Sequence, residues 1–462
     1  MVRRTVLAGI STVLAIVGCG SSSSPRDSGA GAGSGGGAGL AGSGAASGGT
    51  SASGTAGESS GGSAGHGESG GAAGIGGSGG ESVLRIHYHT DSNFRIALRG
   101  QGPNLDWDTS TPTTQIQSGI WEHRFQGLTS GLQFKPVLES NGGEVAWPKG
   151  ASFSNWLLEP GESLDIFPFF FTEQGRLETF QVAHPDGPRD VVVYLPPSYD
   201  EPGASDKRYP VLILQDGQNL FDESAFFGGW RLRGSLDALL GAGQVLSPSN
   251  GQVSWEGGSA EEVIVAGVFN AGAGRVYEYT PTNASVDGLC DAQLETCGGG
   301  ASDYLDFVTD VVAPELRSRY RADGARLGFG GSSLGGLLAL QACWTRGDAF
   351  ERCFVMSPSL WWDDEWALRT LLGTHFLVDP ARIYLDAGTS SDGLEQVREL
   401  NSRLETLDFT TGADLWCLEG IGMAHDELAW AERAPWAVYW GYRDPHRVQP
   451  PPVLPSDLRP CQ

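Results

Sequence analysis

Short stretches in which apolar and polar residues alternate occupy the chain from Val83 to about Thr172. Residues 84–89 and 94–98 both follow this period of two, and Gly, Asn and Pro residues separate such runs. Alternation bounded by turn-forming residues is typical of half-buried β-strands. We therefore predict a β-sandwich domain over residues 83–172.

The pattern changes after Gly175, where continuous apolar runs begin to alternate with stretches of helical period. Residues 211–214 are apolar throughout, as expected of a strand that is covered on both faces. Residues 304–320 repeat apolar positions at helical spacing. Alternating strands and helices predict an α/β domain over residues 175–445, followed by a C-terminal tail over residues 446–462.

An apolar strand predicted over residues 325–329 runs into a glycine-rich turn, and an apolar helix is predicted over residues 334–342. The turn contains Gly331, Ser333 and Gly335 in the spacing G-x-S-x-G. This strand–turn–helix pattern presents a serine nucleophile in strained backbone geometry, which requires small neighbours. The alternative, in a chain with 69 glycines, is a glycine-rich turn with a solvated serine. We predict that Ser333 is the nucleophile.

Such a serine needs a general base later in the chain, and three histidines follow it: His375, His425 and His446. His375 precedes the loop that should supply the acid, and His446 lies in the Pro-rich tail. His425 follows the last predicted strand, residues 414–418, in a Gly-containing loop. We predict His425 as the base; its alternative is a structural role in the loop.

The carboxylate that orients the base should lie between the serine and the histidine, in the loop after the strand predicted over residues 382–385. Asp386, Asp392 and Glu395 are available there. Asp386 falls at the end of the strand, where a structural role is open to it, and Glu395 starts the next helix. We predict Asp392 as the acid; its alternative role is to cap the helix near Leu394.

The order Ser, acid, His on alternating strands and helices is that of an α/β-hydrolase, and it predicts acyl transfer in two steps. His425 takes the proton of Ser333 as its hydroxyl attacks an ester carbonyl, and water then hydrolyses the acyl-enzyme. Two backbone N–H groups should stabilise the charge that develops on the carbonyl oxygen. One is the N–H of Leu334, and the other should come from the loop after residues 211–214.

Residues 1–19 have the pattern of an export signal. Arg3 and Arg4 precede an apolar stretch, residues 5–17, that is too short for a permanent membrane span. The stretch ends in Ile16-Val17-Gly18-Cys19, which resembles a bacterial lipobox and implies a lipid anchor on Cys19. The alternative is an ordinary secretory signal with a chance cysteine.

Residues 20–82 are rich in Gly, Ser and Ala and contain almost no apolar bulk. Such a composition cannot bury enough surface to fold, so we predict a disordered tether. Together with the lipobox, it leads us to expect an exported bacterial lipoprotein at the outer membrane or the cell surface, with the membrane as a partner through the anchor.

Cysteine usage agrees with export. Seven cysteines occur, and six remain once Cys19 is assigned to lipid. An even set in an exported protein predicts disulfides. Proximity and elimination suggest the pairs Cys290–Cys297, Cys343–Cys353 and Cys417–Cys461. No C-x-x-C pair occurs, and we predict no metal and no cofactor.

The formal net charge of −25 argues against nucleic acid as a partner. We expect instead a small-molecule or polysaccharide-linked ester as substrate. The oligomeric state stays open.

Several motifs resemble those of a bacterial esterase family that includes enterochelin esterases, S-formylglutathione hydrolases (esterase D-like) and feruloyl-type esterases. They are Asp216-Gly217-Gln218, Asn270 with Arg275, Glu278-Tyr279-Thr280-Pro281, the turn around Ser333, Ser357-Pro358-Ser359-Leu360-Trp361-Trp362-Asp363 and Gly422-Met423-Ala424-His425-Asp426-Glu427-Leu428-Ala429-Trp430. The resemblance covers roughly residues 177–442 and is strongest to the enterochelin-esterase-like branch. It implies an α/β-hydrolase fold, esterase activity and the N–H of Gln218 as the second oxyanion donor.

Aromatic residues after predicted strands are candidate walls of an acyl pocket, although such residues more often serve packing. They are Phe226, Phe227, Trp230, Trp361 and Trp362. We predict that Trp361 and Trp362 bind substrate. Arg275 is a further candidate, either in contact with an acidic substrate or as a brace for its loop.

The β-domain resembles the immunoglobulin-like or starch-binding-like modules that precede some bacterial esterases. The resemblance rests on Leu98-Arg99-Gly100, Leu105-Asp106-Trp107-Asp108, Phe134-Lys135 and the Pro160-Gly161 turn. Four tryptophans are candidates for stacking on sugar rings or, more commonly, for the sandwich core: Trp107, Trp121, Trp147 and Trp156.

We therefore expect a serine carboxylic-ester hydrolase acting on siderophore-type or polysaccharide-linked feruloyl or acetyl esters. Acyl transfer to another acceptor is a variant of this reaction. A different class is a surface binding or adhesion protein on a hydrolase-like scaffold, which would lack serine-reactive chemistry.

Overall fold

The structure, a computed structural model, describes residues 80–150, 154–225, 228–290, 294–374 and 382–462. The predicted signal peptide, Cys19 and nearly all of the predicted tether lie outside the described residues, as do Phe226, Phe227 and His375. The described residues belong to one compact unit.

The first half, residues 80–172, contains only strands among the residues described there, in the region where the alternating pattern predicts them. They are β1 Ser82–His87, β2 Phe94–Gln101, β3 Thr111–Pro112, β4 Thr114–Gln117, β5 Ile120–Phe125, β6 Leu132–Ser140, β7 Val145–Ala146, β8 Trp156–Leu158 and β9 Ser163–Ile166. β1 starts at Ser82, one residue inside the predicted tether.

These strands form two sheets, one in the order β4-β5-β1-β9 and one in the order β3-β2-β6-β7, with β8 also paired to β6. Alternate residues of both sheets enter one core, for example Leu84 and Ile86 from β1 and Ile96 and Leu98 from β2. The division of the chain at residues 172–175 and the immunoglobulin-like classification stay predictions.

The four tryptophans of this half divide into two pairs. Trp121 and Trp156 are buried in the shared core. Trp147 is 41% exposed, and it lines a cavity of about 350 Å³ together with Trp107, Lys135 and Asn155. Carbohydrate binding by this half stays a prediction.

The second half alternates strands with helices, as its pattern predicts. The strands are β10 Arg176–Val182, β11 Arg189–Leu195, β12 Tyr209–Leu214, β13 Gln244–Leu246, β14 Val253–Glu256, β15 Ile264–Val268, β16 Asn283–Ala284, β17 Cys297–Gly298, β18 Ala322–Ser332, β19 Arg352–Met356, β20 Arg382–Gly388, β21 Leu415–Gly420 and β22 Leu458–Pro460. The helices are α1 Leu232–Leu236, α2 Arg275–Tyr279, α3 Ala301–Phe307, α4 Ala313–Arg319, α5 Leu334–Thr345, α6 Trp362–Arg369, α7 Leu394–Thr406 and α8 Glu427–Gly441.

Within the described residues, nine of these strands form one sheet in the order β10-β11-β15-β12-β18-β19-β20-β21-β22. The six central strands, β15, β12, β18, β19, β20 and β21, are parallel, and β10, β11 and β22 pair antiparallel at the edges. This mixed sheet with helices on both faces has the arrangement of an α/β-hydrolase.

The residues of β12 are apolar without alternation because both faces of this strand are covered. Val211 and Ile213 enter the core beneath α3, α4, α5 and α7, whereas Leu212 and Leu214 enter the core beneath α1 and α8. Because successive side chains of a strand point to opposite faces, a sheet covered on both faces must be apolar at every position.

The predicted C-terminal tail is part of the fold rather than an appendage. β22 adds the last strand of the large sheet, and Cys461 bonds to Cys417 of β21. The Arg447 guanidinium stacks 3.2 Å from the ring centre of Trp156. The short run Leu458–Pro460 has no period long enough to reveal a strand in the sequence.

The six remaining cysteines form the pairs that proximity and elimination suggest: Cys290–Cys297, Cys343–Cys353 and Cys417–Cys461.

Candidate active site

The candidate site lies at the carboxyl ends of the parallel strands, where loops of open α/β sheets gather their functional groups. Ser333 follows β18, and Ser357 follows β19. Asp392 lies in the loop after β20, and His425 in the loop after β21. Gln218 lies in the turn after β12.

Ser333 occupies a strained backbone position between β18 and α5. Its φ of 61° and ψ of −123° lie outside the conformations that ordinary L-residues prefer. A Cβ at Gly331 would lie 3.0 Å from the backbone of Gly335, so the turn needs glycine at that position. The Ser333 N–H donates to the Met356 carbonyl, which ties the turn to β19.

The three predicted catalytic side chains meet in this structure. Ser333 Oγ lies 2.9 Å from His425 Nε2, and His425 Nδ1 lies 2.5 Å from Asp392 Oδ1. The Asp392 side chain is fully buried, and that of His425 is 36% exposed. Ser333 and His425 are therefore partly exposed to solvent, while the carboxylate is closed off from it.

The histidine loop is short because α8 begins directly after it. Asp426 caps that helix by accepting a hydrogen bond from the Ala429 N–H at 2.9 Å. The edge of the Trp430 ring system meets His425, with ring centres 5.1 Å apart and planes at 83°. The start of α8 thus places both a cap and an aromatic wall beside the imidazole.

Among the described residues, the alternative candidates for the acid and the base do not contact Ser333 or His425. Asp386 is fully buried inside β20, and Glu395 forms a surface ion pair with Arg398. His446 lies 3.2 Å from Glu162 of the first half. Asp392 does not cap α7, because its carboxylate accepts from Gly388 N–H and Ser357 Oγ instead.

The two N–H groups predicted as oxyanion donors belong to residues at the starts of helical segments. Leu334 is the first residue of α5, and Gln218 is the middle residue of a short 3-10 turn, Gly217–Asn219. N–H groups in the first turn of a helix have no intrahelical acceptor. A Cβ at Gly217 would lie 2.3 Å from the Gly267 carbonyl oxygen, so this turn packs directly on β15.

Arg275 contacts the loop of Gln218. Its Nε and one terminal nitrogen each lie 2.8 Å from a different oxygen of Asp216, the residue before the turn. Asn270 Nδ2 also donates to Asp216, at 2.6 Å. The guanidinium is thus engaged by a carboxylate of its own chain, which favours the bracing role over direct contact with substrate.

The two predicted substrate-binding tryptophans differ in exposure. Trp361 is 41% exposed, whereas Trp362 is fully buried and donates from Nε1 to Thr282. The expectation that Trp362 binds substrate is therefore corrected: its ring serves packing. Trp230 is also buried, with its ring 6.2 Å from that of Trp430.

Sequence reasoning missed a layer of residues behind Asp392. Ser357 Oγ donates to Asp392 Oδ2 at 2.6 Å, and the buried Arg433 lies 3.3 Å from the same oxygen. Arg433 Nε lies 3.2 Å from Asp386, so one guanidinium bridges two buried carboxylates. Burial raises the pKa of Asp386 above its ordinary value, although Arg433 opposes this. The signal available in the sequence was a polar residue, Ser357, directly after an apolar strand.

In the described part of the chain, no three His, Cys, Asp or Glu side chains are grouped so that they could hold a metal ion. Among the helices that the structure describes, none combines the length and apolarity needed to cross a membrane.

Comparison with known families gives one match over the second half. The model of the family described as "Putative esterase" matches residues 183–437, which is more than half of the 462 residues.

Two curated relatives match shorter stretches. Over 66 residues the chain is 42% identical to the siderophore triacetylfusarinine C esterase of Aspergillus fumigatus, covering 14% of this chain and 23% of that protein. Over 120 residues it is 33% identical to the ferri-bacillibactin esterase BesA of Bacillus subtilis, covering 24% of this chain and 41% of that protein. The matched stretches span less than half of these curated relatives.

Among solved structures, an IroE-like serine hydrolase from Shewanella oneidensis is similar with a TM-score of 0.44 and 20% identity, over 57% of this chain and 79% of that chain. The BES protein from Bacillus cereus is similar with a TM-score of 0.43 and 19% identity, over 58% of this chain and 95% of that chain.

Proposed function

We propose a mechanism for this chain, which belongs to the family described as "Putative esterase" and is an esterase. In the proposal, Ser333 is the nucleophile, His425 the general base and Asp392 the acid that orients it. The observation that supports this most is the unbroken line of contacts from Ser333 Oγ through both imidazole nitrogens to Asp392 Oδ1.

The proposed mechanism assigns the proton of neutral His425 to Nδ1. Asp392 accepts the proton on His425 Nδ1, which leaves Nε2 free to accept the Ser333 hydroxyl proton. The serine oxygen then bonds to the ester carbonyl carbon. His425 returns the proton to the departing alcohol oxygen, and the acyl group stays on Ser333.

Water completes the reaction. His425 removes a proton from the water as its oxygen attacks the acyl carbon, and the Ser333 oxygen leaves with the proton that His425 holds. In both steps the N–H groups of Leu334 and Gln218 donate to the negative carbonyl oxygen. An oxyanion donor of this kind contributes about 3–4 kcal/mol to transition-state stabilisation.

For the substrate we propose a siderophore-type ester. The relatives that match this chain are described as esterases of the siderophores triacetylfusarinine C and ferri-bacillibactin. The partial exposure of His425 and of Trp361 suits a bulky ester that binds from the open side of the site. Feruloyl or acetyl esters of polysaccharides are the second class.

The test is a hydrolysis screen with the purified chain and its Ser333→Ala variant. The three substrate groups are a catecholate trilactone, feruloylated or acetylated polysaccharide, and a short-chain aryl ester. We expect serine-dependent hydrolysis with the highest kcat/KM for the trilactone. A higher kcat/KM for the polysaccharide ester would overturn the substrate assignment, and equal hydrolysis by Ser333→Ala would overturn the mechanism. Absence of any hydrolysis would favour a binding protein on this scaffold.

A further inference from the structure

Asp392 must present one particular oxygen to His425. Oδ1 lies 2.5 Å from Nδ1 of the imidazole, and Oδ2 accepts from the Gly388 N–H at 2.5 Å and from Ser357 Oγ at 2.6 Å. The torsion that rotates an aspartate carboxylate has broad minima, so its neighbours must fix the orientation. The contacts to Oδ2 supply that constraint.

The hydroxyl of Ser357 has only one direction open to its proton. Trp430 Nε1 lies 2.9 Å from Ser357 Oγ, and a terminal nitrogen of Arg433 lies 2.7 Å from it. Indole and guanidinium nitrogens are donors only, so both lone pairs of the hydroxyl are occupied. Its single proton is therefore committed to Asp392 Oδ2.

The backbone holds Ser357 in place independently of Asp392. Its φ is 38°, and its N–H donates to the Asp386 carbonyl of β20 at 2.9 Å. Trp430 and Arg433 both belong to α8, the helix that begins two residues after His425. Ser357 thus connects the strand β19, the acid loop after β20 and the helix that follows the base.

We propose that Ser357 is a positioning residue of the esterase, whose hydroxyl acts with the Gly388 N–H and Arg433 on Oδ2 to fix the rotation of the Asp392 carboxylate so that Oδ1 faces His425. This inference rests on the proposed function of the Ser333, His425 and Asp392 group. Ser357 is fully buried and acts through Asp392, without contact to the substrate.

A double-mutant cycle tests this role, with kcat and KM measured on a fluorogenic acetyl ester. Ser357→Ala should lower kcat by about 10- to 100-fold with KM unchanged, because a misplaced catalytic group costs turnover rather than binding. In an Asp392→Asn background the same substitution should cause less than about a threefold further loss, because residues that act as a unit are not additive.

Ser198→Ala is the matched control. Ser198 is also fully buried, and its hydroxyl also contacts a carboxylate, that of Glu262, at 2.5 Å. This variant should lower the thermal midpoint while leaving kcat unchanged. Ser357→Gly provides a second variant that lacks the hydroxyl, since glycine accepts a positive φ without strain.

The outcomes separate the two proposals. Equal losses from Ser357→Ala in both backgrounds, or a folded variant with unchanged kcat, would overturn the positioning role alone. Hydrolysis by the wild type that does not depend on Ser333 would overturn the proposed function and this inference with it.

Discussion

Arg275 and Asp216 form a two-point ion pair, with both nitrogen–oxygen distances at 2.8 Å. Asp216 adopts a left-handed backbone with φ of 57° directly before the turn that presents the Gln218 N–H. Burial would lower the pKa of Arg275, but the Asp216 carboxylate raises it above its ordinary value, so the arginine stays charged. The pair therefore braces one half of the proposed oxyanion hole.

This bracing predicts which kinetic constant responds to Arg275→Gln. We expect kcat to fall by about 10-fold or more and KM to change by less than about threefold, because the oxyanion donor acts mainly in the transition state. Arg346→Gln is the control, since Arg346 is similarly exposed and pairs with Asp306 on the surface. A large rise in KM with kcat preserved would instead mean that Arg275 binds the substrate.

Substitution of Asp392, in the loop after β20, should mainly affect activity, whereas substitution of Asp386, inside β20, should mainly affect stability. Asp392→Asn should lower kcat by about 10³- to 10⁴-fold in a folded protein, because the amide favours the wrong imidazole tautomer. Asp386→Asn should mainly lower the thermal midpoint, because Asp386 contacts Tyr384, Arg433 and the Ser357 N–H but not His425. Measuring turnover and thermal midpoint of both variants decides the assignment. Loss of activity in a stable Asp386→Asn with an active Asp392→Asn would move the acid to Asp386.

The surroundings of Glu419 lead us to predict that the stability of the fold depends on pH. Burial would raise its pKa, but hydrogen bonds from Arg398, Arg459 and the Gln462 N–H outweigh burial and hold the pKa of Glu419 below its ordinary value. A carboxylate with a lowered pKa stabilises the fold above its unfolded pKa of about 4.3, and this contribution is lost as the pH falls through the folded pKa.

Glu419→Gln should therefore lower the free energy of unfolding by about 1–3 kcal/mol at pH 7. The difference from wild type should shrink below about pH 4, as denaturant titrations at several pH values would show. Glu395→Gln removes an exposed partner of the same Arg398 and should change stability by less than about 1 kcal/mol. A constant difference across this pH range would refute the linkage.

The sequence predicts those site features whose cause is local. Gly331, Ser333 and Gly335 lie within five residues, and their spacing together with the apolar runs on either side predicts the turn between β18 and α5. Asp392 and His425 are predictable because each follows a strand of recognisable pattern. The burial of Trp362 does not follow from its position, because an aromatic residue after a strand can either pack in the core, the more common role, or line a pocket.

The layer behind Asp392 is not predictable in this way. Ser357 and Arg433 are separated by 76 residues, and only the folded sheet and α8 bring them together. The role of Arg275 is likewise not predictable from the sequence. Its position in the chain does not reveal whether its guanidinium pairs with Asp216 or with a ligand. β22 was missed because three residues carry no periodicity.

Lipidation of Cys19 stays a prediction, since this residue lies outside the described part of the chain. Two acyl chains or more are needed for stable anchoring, because a single chain binds a membrane only marginally. We expect mass spectrometry of the mature protein to find an N-terminal peptide that begins at a lipidated Cys19. A mature N-terminus elsewhere and without lipid would contradict the predicted anchor.

We propose that Ser333 is the activated nucleophile of this esterase. The most direct measurement is reaction of the intact, folded protein with a fluorophosphonate, followed by mass spectrometry of the whole chain and its peptides. We expect one adduct per chain, located on Ser333, and no adduct in Ser333→Ala or in wild type unfolded before reaction. An adduct on another serine, or a folded wild type that does not react, would contradict it.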